Sequence, residues 1–160
     1  MLAKINTIIY ACDLEGKTQE AMSFVMSMAL QNQAKVILVH ALNPTSPQTE
    51  GMIQNYLPAE TLQRIREEFI STTSEKMHAQ INAFLEENSE ELKDLKHKPE
   101  YVVAAGAPHE AIQNTAKGYK ADIIVMNSRT HSKLGQMMLG STANKVIHQS
   151  HIPVLVVPIR

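Results

Sequence analysis

The stretch MNSRTHSKLGQMMLGST, residues 126–142, carries residue types suited to holding phosphate. It closes on Gly140, Ser141 and Thr142, small and hydroxylated residues placed where a helix can begin. Free backbone N–H groups, the positive end of the helix dipole and two hydroxyls converge at such a start, which suits an anion. The same three residues also fit an ordinary serine N-cap. A second candidate, Asp13, follows the apolar run Thr7–Ala11. A carboxylate there can accept hydrogen bonds from ribose hydroxyls or an adenine amino group, or help hold a metal. It can equally cap the turn into the next helix.

Other chemistries fit less well. Gly135-Gln-Met-Met-Leu-Gly140-Ser141-Thr142 nearly spells a P-loop, but Ser141 stands where the phosphate-pairing lysine belongs. The apolar run before it also ends about nine residues upstream rather than directly before the loop. Seven histidines raise the question of metal, yet no Cys or second His pair completes a site around His148 and His151. The single cysteine, Cys12, allows no internal disulfide and reads as a small packed side chain. His40 and His131 are expected near the ligand cleft, with no role as general base assigned. The His-x-Gly-His and Ser-Gly-Gly-x-Asp-Ser signatures of nucleotidyl transfer are both absent.

The elements that must position these residues follow from composition and period. A chain of 160 residues with 44% apolar residues fits one domain, residues 1–160, burying roughly 70% of its unfolded surface. Fifteen Lys+Arg against sixteen Asp+Glu give a net charge of -1, which argues against a nucleic-acid binder working by phosphate neutralisation. The N-terminal MLAKINTIIYACD lacks the h-region and cleavage site of a signal peptide, so the expected location is cytoplasmic. The longest apolar stretches are about five residues against the roughly 20 of a membrane span, so no membrane is expected.

Five β-branched apolar runs, Thr7–Ala11, Val36–Val39, Tyr101–Ala104, Ile123–Met126 and Val154–Val157, show no polar alternation. Parallel strands covered on both faces read this way. Between them lie four segments of helical period. The first runs through Ala21, Val25, Met28 and Ala29, with Thr18 as its cap. The second carries Leu62, Ile65, Phe69, Thr73, Met77, Ile81 and Phe84 on one stripe, a helix roughly 40 Å long. The third opens at Pro108, buries Ala111, Ile112 and Thr115, and is expected to end at Gly118 as a left-handed cap. The fourth follows Ser141 through Ala143, Val146 and Ile147. This strict alternation describes an open, doubly wound α/β sheet whose ligands bind beyond the carboxyl ends of the strands.

Two segments interrupt the alternation. Residues 43–58, with three prolines and the apolar Met52, Ile53, Tyr56 and Leu57, read as a lid or as a loop docking on its own domain. The charged stretch 86–100 reads as a solvated helix end and linker.

Several spaced motifs together carry a resemblance. They are the strand before Asp13; Gly106-Ala107-Pro108 before a helix; Ile-Ile-Val-Met-x-Ser-Arg-x-His-Ser from Ile123; Leu139-Gly140-Ser141; and a closing His-x-Pro-Val-Leu-Val-Val-Pro from His151. In this order they resemble the universal stress protein family, from Lys4 to the C-terminus. The resemblance implies a five-stranded parallel sheet ordered 3-2-1-4-5 with four helices, of the adenine nucleotide alpha hydrolase-like type. It also implies ATP as ligand, with Mg or Mn beside it. The nucleotide-binding branch carries Gly-x2-Gly-x9-Gly-Ser/Thr, and the matching positions here are Asn127, Thr130, Gly140 and Ser141.

By the same resemblance, Asp13 and Ala41 flank the adenine and ribose. Asn127, Arg129, Thr130, Gly140, Ser141 and Thr142 surround the triphosphate, and Met126 is a further binding position; Lys133 reads as a candidate anion contact or as a merely solvated loop lysine. Asn127 is expected to preserve a left-handed turn and to add an amide able to bond phosphate or ribose. Thr130 either re-routes the loop, narrows the phosphate channel with its methyl, or donates its hydroxyl to phosphate. The resemblance further implies a homodimer along Val154–Val157, an apolar edge bracketed by Pro153 and Pro158. The residues equally allow a monomer whose edge is shielded by its own C-terminal tail. Two functions remain. One is a stress-response module that binds ATP and signals through its dimer or loop state, at most a slow ATPase since no water-positioning carboxylate stands in 126–142. The other is a nucleotide-free homodimeric interaction protein with a plugged cleft.

Overall fold

Each apolar run becomes a strand and each segment of helical period a helix. The computed structural model describes residues 1–12, 14, 18–42, 55–130 and 137–158, and of residues 129, 130, 137 and 138 the backbone alone. In chain order the elements are β1 (Thr7–Ala11), α1 (Thr18–Asn32), β2 (Lys35–Leu42), α2 (Ala59–Glu87), β3 (Glu100–Ala105), α3 (Pro108–Gly118) and β4 (Ile123–Asn127). Two-residue strands β5 (Arg129–Thr130) and β6 (Met137–Met138) follow, then α4 (Ser141–Gln149) and β7 (Val154–Val157). Five strands pair in parallel in the order β3-β2-β1-β4-β7, which is 3-2-1-4-5 when only this sheet's strands are counted. β5 and β6 form a separate antiparallel pair that strand-length patterning could not reveal.

Alternation along β1 divides the interior in two. Ile8 and Tyr10 face α1 and the second half of α2, joining Val25, Met26, Ala29, Met77 and Ile81. Ile9 faces the other way, with Ile37, Val39 and Ile124, onto Ile112 and Ala116 of α3 and Ala143 and Val146 of α4. Burying a side chain of this size contributes about 1.5–3 kcal/mol, so losing either helical layer would unbalance the sheet. Among the described residues no helix is long and apolar enough to cross a membrane.

Three features depart from a simple reading of the pattern. The stripe on α2 is covered only along its second half: Met77 and Ile81 are buried, whereas Ile65 is 50% and Phe69 63% exposed. With 29 residues the helix runs about 43 Å, longer than the strands beneath it. Gly118 is not the left-handed residue: α3 passes through it to Tyr119, and the positive φ falls on Lys120, at 52°. Tyr56 and Leu57 are exposed and do not dock, while Met52 and Ile53 lie outside the described residues.

The amino end of the sheet is closed by one carboxylate. Oδ2 of Asp122 accepts hydrogen bonds from the backbone N–H groups of Asn6 at 2.8 Å and Thr7 at 2.9 Å, and the Asp122 N–H donates to the Thr7 carbonyl at 2.9 Å. This joins the first residues of β1 and β4. Hydrogen bonds to a charged acceptor contribute more than neutral ones, so Asp122→Ala is expected to lower stability by about 1.5–3 kcal/mol, read as a lower urea midpoint with unchanged slope.

Candidate functional site

Crossovers from β1 run first to one side of the sheet, through β2 and β3, and then to the other, through β4 and β7. Strand order therefore reverses between β1 and β4, and a ligand crevice belongs at their carboxyl ends. α4 begins beside the end of β4. Its N-cap is Gly140, at φ -62° and ψ 160°, with no side-chain hydrogen bond to the helix. The Asn144 N–H closes the first helical bond onto the Gly140 carbonyl at 3.0 Å. The N–H groups of Ser141, Thr142 and Ala143 lie ahead of that bond and have no intrahelical partner, and no acidic side chain stands in the first turn. The serine N-cap reading is thereby replaced: Gly140 occupies the cap, with exposed Ser141 and half-buried Thr142 as the first helical residues.

The remaining expected positions divide into four groups. Ala41 is half-buried in β2, opposite Ala104 and two residues past the pairing of Val39 with Ala11 at the end of β1. Met126 is buried toward α3 and α4. Asn127 closes β4, opposite Val157. Arg129 and Thr130 belong to β5, Thr130 opposite Met137. Asp13 and Lys133 lie outside the described residues.

The left-handed turn expected at Asn127 does not form. The residue continues the strand, and the non-glycine residues of positive φ among those described are Gln33 and Lys120. Its amide is engaged: Nδ2 donates to the Tyr10 hydroxyl at 3.0 Å, and that hydroxyl donates to Oδ1 at 3.2 Å. Thr130 likewise pairs in a short antiparallel ladder, a backbone that suits a β-branched residue.

Sequence reasoning missed two features of the floor. Nδ1 of His40 lies 3.0 Å from the Cys12 carbonyl, to which it must donate, since a carbonyl only accepts. That bond orients the ring and leaves Nε2 as its acceptor in the neutral form. A cavity of about 490 Å³ opens between α1 and α2, lined in part by Cys12, Leu14, Met22, Leu38, Met77 and Ile81. It lies on the opposite sheet face from α4, and its strand-end wall is the segment flanking Asp13. The register that brings these groups together is non-local, so no spacing along the chain signals it.

The family model described as "Universal stress protein family" matches residues 4–158. The chain is 29% identical over 157 residues to universal stress protein MJ0577 of Methanocaldococcus jannaschii, covering 98% of this chain and 97% of that one. It is 31% identical over 156 residues to universal stress protein YxiE of Bacillus subtilis, covering 95% and 98%. The solved structure of MJ0577 superposes at TM-score 0.68 with 25% identity over 99% of both chains. A universal stress protein solved in complex with cAMP superposes at TM-score 0.59 with 21% identity, over 99% of this chain and 100% of that one.

The extended backbone at position 127 has a testable consequence. A left-handed residue would welcome glycine; an extended one bonded to Tyr10 would not. Asn127→Gly is expected to lower unfolding free energy by about 1–2 kcal/mol in chemical denaturation, combining the strand glycine penalty with the lost hydrogen bonds.

Proposed function

As the chain belongs to the universal stress protein family, we propose that it binds ATP at the carboxyl ends of β1 and β4, with the triphosphate at the start of α4. The observation that carries this reading is the Gly140 cap. It leaves three first-turn N–H groups without intrahelical partners beside two hydroxyls, at the place where strand order reverses. A side-chain cap would compete with a phosphate oxygen for the same donors, and the glycine cap has no side chain to do so. The relative in complex with cAMP supports an adenine nucleotide as the ligand class. Ala41 offers apolar strand-end contact for a base and sugar, Met126 supports the strand end from within the core, and Asp13 follows β1 as the ligand's hydrogen-bonding partner.

Among the described residues no three His, Cys, Asp or Glu side chains are grouped to hold a metal. An accompanying Mg or Mn would be held by phosphate oxygens and water, with Asp13 the carboxylate the sequence offers beside them. The bound nucleotide then acts as a signal, read through the loop after β4 or through a dimer, rather than as a substrate turned over quickly.

β7 provides the dimer edge in this proposal. The N–H groups of Ile124 and Ser128 donate inward to the carbonyls of Pro153 and Val157, each at 2.9 Å. By strand alternation Leu155 also turns its backbone groups toward β4, and those of Val154 and Val156 face outward for a second copy. Nothing in β4 uses them.

Titration calorimetry with ATP and Mg on the intact protein tests the ligand. Heat of binding is expected for the wild type and none for Gly140→Asp, whose carboxylate takes the phosphate's place. Asp is a good N-cap at this φ and ψ, so that variant should melt no lower than wild type. Absence of binding by the wild type at millimolar ATP would sink the proposal. For the dimer, Val156→Pro removes an outward N–H while sparing the ladder to β4. Sedimentation is expected to show a folded monomer in place of the wild-type dimer.

A further inference from the structure

Tyr10 is fully buried in the central strand, and its hydroxyl meets a side chain 117 residues away. Register explains the meeting. Tyr10 stands opposite Val125, so the next β4 side chain on the same face is Asn127. A buried phenol needs a polar partner, and the strand-end amide supplies one.

The two contacts use a particular part of that amide. The hydroxyl lies 3.0 Å from Nδ2 and 3.2 Å from Oδ1. Both atoms are within reach of one oxygen only from the outer edge of the amide, the edge that otherwise forms paired hydrogen bonds to a base or carboxylate. Exchanging the nitrogen and oxygen leaves the same edge occupied. The amide is also held on the α1 and α2 face with Tyr10, whereas α4 packs on the other face.

We infer that Tyr10 is a positioning residue for the nucleotide site: strand register sets Asn127 on the face away from α4, and the Tyr10 hydroxyl holds its amide down on that face, so that position 127 faces the ligand with backbone alone. This rests on the ATP reading above. Without the hydroxyl, the half-buried amide is released to rotate into the mouth of the crevice, where it obstructs the ligand. Asn127 then changes from a spacer into a plug.

A double-mutant cycle in ATP affinity tests this, using the intact protein as wild type, Tyr10→Phe, Asn127→Ala and both together. Phenylalanine keeps the ring and deletes only the hydroxyl. Tyr10→Phe is expected to weaken ATP binding about five- to tenfold where Asn127 is present and by less than about twofold in the Asn127→Ala background. Equal losses in both backgrounds would assign Tyr10 to general support of the fold and overturn the inference. No loss in either background overturns it as well. Binding by none of the four proteins would overturn the ATP reading and the positioning role with it. The tether itself has a separate readout: the Asn127 side-chain amide resonances in a ¹⁵N-correlated spectrum should move toward free-amide positions in Tyr10→Phe. Resonances unmoved by that substitution would refute the tether whatever the nucleotide does.

Discussion

Strand β1 is paired on both sides and covered on both faces, and this double burial governs the remainder of the molecule. Its backbone donors and acceptors must be spent in ladders to β2 and β4, because no water reaches them. Its side chains must be apolar or bring a partner, because neither face is open: Ile8, Ile9 and Tyr10 have no exposure. Each face therefore requires a helical layer, α1 with α2 on one and α3 with α4 on the other. Parallel strands can be joined only by crossovers, and placing them on both faces makes strand order reverse beside β1.

The polar groups at the carboxyl edge satisfy the same constraint by different means. Tyr10 finds Asn127, the Cys12 carbonyl finds His40, and the Ser128 N–H finds the Val157 carbonyl. These bonds tie β1, β2, β4 and β7 together just beneath the crevice. The start of α4 is the contrast, with a glycine cap that brings no side chain to the first-turn N–H groups. Helical N–H groups without intrahelical partners carry the positive end of the helix dipole, the general physical basis on which helix starts attract anions.

The strands were largely legible because their signal is local. The bounds of β1 and β7 coincide with their apolar runs, and β4 extends by only one residue, Asn127. β2 runs on through His40, Ala41 and Leu42, because β3 offers Val103, Ala104 and Ala105 as partners there. α2 errs in the opposite sense. Its apolar stripe keeps helical period throughout, but period reports only that a face is apolar, and the sheet is too short to cover Ile65 and Phe69. The candidate site was legible at Gly140, Ser141 and Thr142, where small residues announce a helix start, and less so at Asn127 and Thr130.

What the sequence determined by itself was therefore the alternation of strand and helix, the parallel sheet and its family, and the helix start that can receive phosphate. These rest on side-chain period and turn chemistry, which act over a few residues. Tertiary structure alone decided that Asn127 runs extended and bonds to Tyr10, that Thr130 joins a short ribbon, and that half of α2 stands uncovered. The reason is register: which side chains meet across β1 and β4 depends on alignment between segments more than a hundred residues apart, and no local pattern encodes it.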